Sequence, residues 1–104
     1  MSTNIINLAK EISSRHEALS NEIRVLILSI VIAYNEVKWT KIRDILEDIL
    51  GKRLNPNIIA FHIRRLIEAG YIEKRMETYT IGEAKIDIKD LNKLIKAISG
   101  RRYK

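Results

Sequence analysis

Three side chains able to make paired hydrogen bonds, Asn57, Arg64 and Arg65, lie within one short stretch that also holds an aromatic ring, Phe61, and an imidazole, His62. A carboxamide matches the donor and acceptor on an adenine edge, and a guanidinium matches the two acceptors of guanine. An apolar group such as Phe61 or Ile58 can meet a thymine methyl. The chemistry on offer is the reading of base edges in a duplex groove. The competing reading of the same residues is a solvated helix face of ordinary composition.

Such reading needs a rigid element, and residues 55–75 supply its signals locally. Asn55 is a good N-cap, and Pro56 suits the first helical position because its missing N–H has no partner there anyway. Ile59, Ile63 and Leu66 recur at helical spacing. At about 100° per residue this stripe leaves Asn57, Phe61, Arg64, Arg65 and Glu68 pointing away from a core, with Ile58 and His62 at the margins. Gly70 can take the left-handed conformation that ends a helix, and Tyr71 onward favours strand.

Helical and strand spacing organise the rest of the chain. A first helix, about residues 4–17, carries Ile5, Leu8 and Ile12. Ser20 is expected to cap a second helix to Tyr34, apolar nearly all round and therefore central. Val37-Lys38-Trp39 reads as a short extended piece, with Trp39 a core plug beside a hairpin rather than a stacking platform. Thr40 is the expected cap of a third helix that ends at Gly51; its Asp44, Glu47 and Asp48 read as a solvated face. The short glycine-led connection 51–54 makes the third and fourth helices a helix-turn-helix pair. A hairpin follows, its first strand from Tyr71 to Met76 and its second ending near Ala84 to Ile86, with Gly82-Glu83 a candidate type II′ turn. Asp87 is expected to cap a last helix, 88–99, whose Ile88, Leu91, Ile95 and Ile98 have the spacing of a two-strand seam. The basic tail 100–104 has no structural signal.

Composition narrows the function classes. The 104 residues suit one domain, 1–104, with no room for a second domain around a catalytic cleft. The formal charge of +6 is unevenly placed: residues 1–37 are slightly acidic, and the excess of Lys and Arg lies in 38–104, with the candidate reading helix. A cationic membrane surface is the rival explanation, but a Lys/Arg-rich amphipathic helix with aromatic anchors is missing. The longest apolar stretch, Val25 to Tyr34, falls short of the roughly 20 residues a bilayer span requires. With no cysteine there are no disulfides, thiolate metal sites or thiol nucleophiles. His16 and His62 are far apart, and neither a phosphate loop nor a zinc-binding His spacing occurs. The expectation is a cytoplasmic protein that is not an enzyme and needs no metal or cofactor. Enrichment in Ile, Lys and Glu with no glutamine fits a thermophilic source, and an AT-rich genome would favour Ile and Lys as well.

The order helix, helix, short strand, helix, helix, hairpin, helix is that of a winged helix-turn-helix, mainly α with a small β-hairpin and flanking terminal helices. Ala18-Leu-Ser-Asn-Glu-Ile-Arg-Val-Leu-Ile-Leu28 resembles the entry to the first core helix of ArsR-like regulators. His62-Ile-Arg-Arg-Leu-Ile-Glu-Ala-Gly-Tyr-Ile72 resembles their recognition-helix exit, a motif shared with MarR-like and PadR-like proteins. The similarity covers roughly residues 18–86. It implies transcription regulation by DNA binding as a dimer, with recognition positions at Asn57, Ala60, Phe61, His62, Arg64 and Arg65 and a wing from Lys74 to Lys85. Ala60 and Phe61 depart from the hydroxyl and polar residues the family often has there. The cysteine metal-sensing motif is absent, so metal-responsive release is not expected.

The resulting expectation is a homodimeric, sequence-specific regulator of double-stranded DNA. Lys38, Lys41, Arg43, Lys52 and Arg53 would hold phosphates, and Lys74, Arg75 and Lys85 would serve the backbone or minor groove. Ile5, Leu8, Ile12, Ile88, Leu91, Ile95 and Ile98 would form the dimer interface if a core of this size leaves them uncovered. Two alternatives stay open: an architectural DNA-binding protein of low specificity, and a winged helix used for protein contacts. Any small-molecule effector is unknown.

Overall fold

The computed structural model describes residues 3–15, 21–84 and 88–100. Five helices and a small antiparallel sheet follow in the order α1 (Thr3–Arg15), α2 (Glu22–Tyr34), β1 (Glu36–Lys38), α3 (Trp39–Leu50), α4 (Pro56–Glu68), β2 (Ile72–Arg75), β3 (Thr78–Ile81) and α5 (Ile88–Ser99). This is the layout of a winged helix-turn-helix, mainly helical with a three-stranded wing.

The apolar character of α2 determines the centre. Every residue from Val25 to Val31 is buried, and α2 packs against α1, α3, α4, α5, β1 and β3. Ser29 is tolerated there because its hydroxyl donates to the Val25 carbonyl at 2.9 Å, which satisfies the one polar group in the run. Full burial of Leu26, Ile27, Leu28 and Ile30 contributes roughly 1.5–3 kcal/mol each. The cap of α2 is Asn21, not Ser20: its side chain accepts from the Ile23 N–H at 2.8 Å. Ser20 itself lies outside the described residues.

α3 begins two residues earlier than a cap at Thr40 implies. Trp39 is its first residue, Lys38 its N-cap without a side-chain bond, and Thr40 lies within the helix. Trp39 is half-buried against the core and close to the wing residue Tyr79, so it does plug the region beside the hairpin, but from a helix start rather than a strand. Gly51 ends α3 at φ 70° with its N–H on the Glu47 carbonyl at 2.8 Å.

The terminal helices fold onto this core. Ile5, Ala9 and Ile12 of α1 and Leu91, Leu94 and Ile98 of α5 are buried within the single chain, with Leu8 and Ile95 packed part-buried beside them. The expected uncovered stripe is therefore corrected: α1, α2 and α5 cover one another, and the fully buried position in the middle of α5 is Leu94 rather than Ile95. A three-four-three apolar spacing is the same whether the covering surface is another chain or the helix's own core. The Ile88 side chain, Asp87 and the tail 101–104 lie outside what is described.

In the sheet, β3 lies between β1 and β2. Tyr79 pairs with Val37 on one side and Lys74 on the other, which turns its ring inward, where it is buried. The hairpin tip is Met76-Glu77, between Arg75 and Thr78, and not Gly82-Glu83. Gly82 serves close approach instead: a Cβ there would sit 2.2 Å from the Gly70 carbonyl oxygen. The Gly82 N–H donates to the Tyr71 carbonyl at 2.8 Å, tying the exit of the wing to the end of α4.

Candidate nucleic-acid interface

Helix α4, the candidate reading helix, is fixed at both ends by its own sequence. At the start, Asn55 Oδ1 accepts the Asn57 N–H at 2.9 Å, with Pro56 following the cap. At the end, the Gly70 N–H reaches the Ile67 carbonyl at 3.0 Å and the Tyr71 N–H the Leu66 carbonyl at 2.9 Å, with Gly70 at φ 82°. This is the Schellman pattern, in which a left-handed glycine lets two orphan carbonyls find donors. Between α3 and α4, Glu47 Oε2 accepts the Leu54 N–H at 2.8 Å. Glu47, expected on a solvated face, instead sets the turn of the helix-turn-helix.

Ile59, Ile63 and Leu66 are buried, and Asn57, Ile58, Phe61, Arg64, Arg65, Ile67 and Glu68 are exposed. His62 is the correction on this helix. It is only 7% exposed, so it faces the core and leaves the base-reading set. Its Nδ1 lies 3.4 Å from Arg24 Nη2 on α2, an arrangement in which a neutral ring, protonated on Nε2, accepts from the guanidinium. Burial lowers the His62 pKa from 6.5 and the Arg24 charge lowers it further, with Glu22 opposing. Arg24, which contacts α4 from α2, had no signal in the sequence, since nothing local marks a partner 38 residues away.

The exposed guanidiniums differ in freedom. Arg65 sits 5.6 Å from the centre of the Phe61 ring and 3.6 Å from Glu68 Oε1. Arg64 instead shares a cleft of about 280 Å³ with Lys74 of the wing. Buried Tyr79 and half-buried Trp39 line the same cleft, with Ile63 and Ile67 from α4. One cation from the helix and one from the wing thus face a single aromatic-lined space, a pairing the sequence could not show because it depends on the strand register.

The cations expected to hold phosphates come from several elements. Lys52 and Arg53 are exposed in the turn, and Lys38 is exposed at the start of α3. Arg43 is engaged by its neighbour Asp44 at 2.9 Å and lies 5.6 Å from the Trp39 ring centre, while Lys41 lies 5.7 Å from the Tyr34 ring centre. On β2, Lys74 and Arg75 are exposed, Arg75 within 3.8 Å of Glu73. Lys85 lies outside the described residues. Among the described residues no three of His, Asp and Glu gather as metal ligands, and no helix is long and apolar enough to cross a membrane. Comparison with family models, curated proteins and solved structures finds no match for this chain.

Proposed function

We propose that this protein is a double-stranded-DNA-binding transcription regulator that lays α4 in the major groove and its wing on the flanking backbone. The observation that carries the reading is the shared cleft of Arg64 and Lys74. A helix cation and a wing cation converging on one space suit a groove edge bordered by its phosphates. Asn57 and Arg64 are the base-reading residues, Phe61 and Ile58 the thymine-methyl contacts, and Lys52, Arg53, Lys38 and Arg75 the phosphate contacts. The ArsR-like resemblance of the α2 entry and the α4 exit supports the same use. The described apolar side chains of α1 and α5 leave no uncovered stripe for the dimer that resemblance implies, and the single chain carries the proposed interface.

A low-specificity architectural role is the second reading, favoured by one feature. Arg65 is engaged with Phe61 and Glu68, which leaves few polar groups for base edges. Binding-site selection on random duplexes, followed by Arg64→Ala, separates the two. A specific reader loses roughly 1–3 kcal/mol at its preferred site and less elsewhere, while Lys74→Ala weakens all sequences alike. Uniform loss on Arg64→Ala and no enriched sequence would favour the architectural role.

A further inference from the structure

The exposed large apolar side chains among the described residues are Ile58, Phe61, Ile67, Met76 and Ile81, all on α4 or the wing. Met76 differs from the others in two respects. It is 94% exposed, about twice the value for Phe61 at 46%. It also occupies the first central position of the two-residue turn between Arg75 and Thr78 at φ 54°, where glycine is the usual residue because a Cβ is strained there. The turn itself calls for the positive φ, but placing methionine rather than glycine there serves no packing, since almost none of the side chain is covered by the protein. An outlier of this kind, at the tip of a hairpin, points to a use outside the monomer.

The tip is a firm platform. Thr78 Oγ1 lies 3.0 Å from both Glu36 Oε1 and Arg75 O, so its one proton is shared between an acceptor on β1 and one on β2. The exposed cations Lys74 and Arg75 lead into the methionine along β2, and the exposed Glu77 follows it. A polyanion with an apolar, separable interior complements that combination, and the cleft that Lys74 shares with Arg64 makes the tip continuous with the duplex-binding face. We propose that Met76 is a wedge that enters the minor groove, separates two adjacent base pairs and kinks the duplex. The idea rests on the duplex-binding reading given above. Apolar wedges of this size unstack one step and bend DNA by roughly 20–90°, and pyrimidine–purine steps such as TA yield most readily.

The test uses the full chain and a short duplex with 2-aminopurine beside a central TA step and a fluorophore at each end, with binding followed by anisotropy in the same samples. Wild type is expected to raise 2-aminopurine fluorescence and to shorten the end-to-end distance. Met76→Ser and Met76→Gly, which remove no packing, should still bind but lose both signals, and Met76→Leu should keep them. A wild-type complex that leaves both signals unchanged, or signals that survive Met76→Ser, would overturn the wedge while leaving duplex binding intact. Absence of binding in the anisotropy channel would overturn the duplex reading itself. Binding to phosphatidylserine vesicles that depends on Met76, without duplex kinking, would assign the tip to a lipid surface instead.

Discussion

His62 illustrates how a single residue ties α4 to the core. Its folded-state pKa lies below the ordinary 6.5, first from burial and then from Arg24, so the folded chain prefers the neutral ring. The stability this contributes is fully present above the unfolded pKa, near 6.5, and is lost as pH falls through that value toward the folded pKa. Denaturant midpoints should therefore decline as pH falls below about 6.5, and His62→Gln, which keeps an acceptor for Arg24 but cannot titrate, should flatten that decline. An unchanged slope in the variant would mean that other groups set the acid limit. Met76 makes an opposite trade at the same scale. Met76→Gly relieves the positive φ and should stabilise the protein by about 0.5–1 kcal/mol in chemical denaturation, strain relief being partly offset by glycine's greater unfolded-state entropy. If wild type is the more stable protein, the tip is not strained.

At the scale of elements, the chain states its helix ends more clearly than its long-range contacts. The start and stop of α4 were legible because Asn55, Pro56 and Gly70 act on backbone groups within a few residues. The hairpin tip was not, because Gly82 had two possible reasons for being glycine. Positive φ suggested a turn, whereas the structure uses its missing Cβ for the 2.2 Å approach to the Gly70 carbonyl. His62 sat at the margin of the helical wheel, where a small rotation decides between core and solvent, and the Arg24 contact that accompanies the inward choice spans two helices. The glycine assignment can be checked directly. Gly82→Ala should cost at least about 3 kcal/mol, the upper end of ordinary single substitutions, because backbone must move. Gly70→Ala should cost about 1–2 kcal/mol from its left-handed φ. The reverse order would restore Gly82 to a turn role.

For the whole molecule, the terminal helices and the charge distribution lead to different conclusions. Apolar spacing in α1 and α5 was readable, but whether each stripe meets its own core or another chain is a property of the assembled fold. Leu91 is fully buried between these helices and α2, whereas Ile95 is only part-buried. Leu91→Asp should therefore unfold the chain and Ile95→Asp should be milder, with a wild-type melting temperature independent of protein concentration. A melting temperature that rises with concentration would reveal an obligate oligomer. The positive charge concentrated in residues 38–104 bears on association rather than on fold. It places Arg64, Lys74 and the turn cations Lys52 and Arg53 on the part of the molecule that carries α4 and the wing.

The most direct test of that placement is the affinity for duplex DNA measured by anisotropy across a series of salt concentrations, for wild type and for Arg64→Ala/Lys74→Ala. Log affinity should fall linearly with log salt, by about 0.9 per phosphate neutralised, and the double variant should bind more weakly with a shallower slope. No binding at low salt, or an affinity and slope unchanged by the double substitution, would contradict the account.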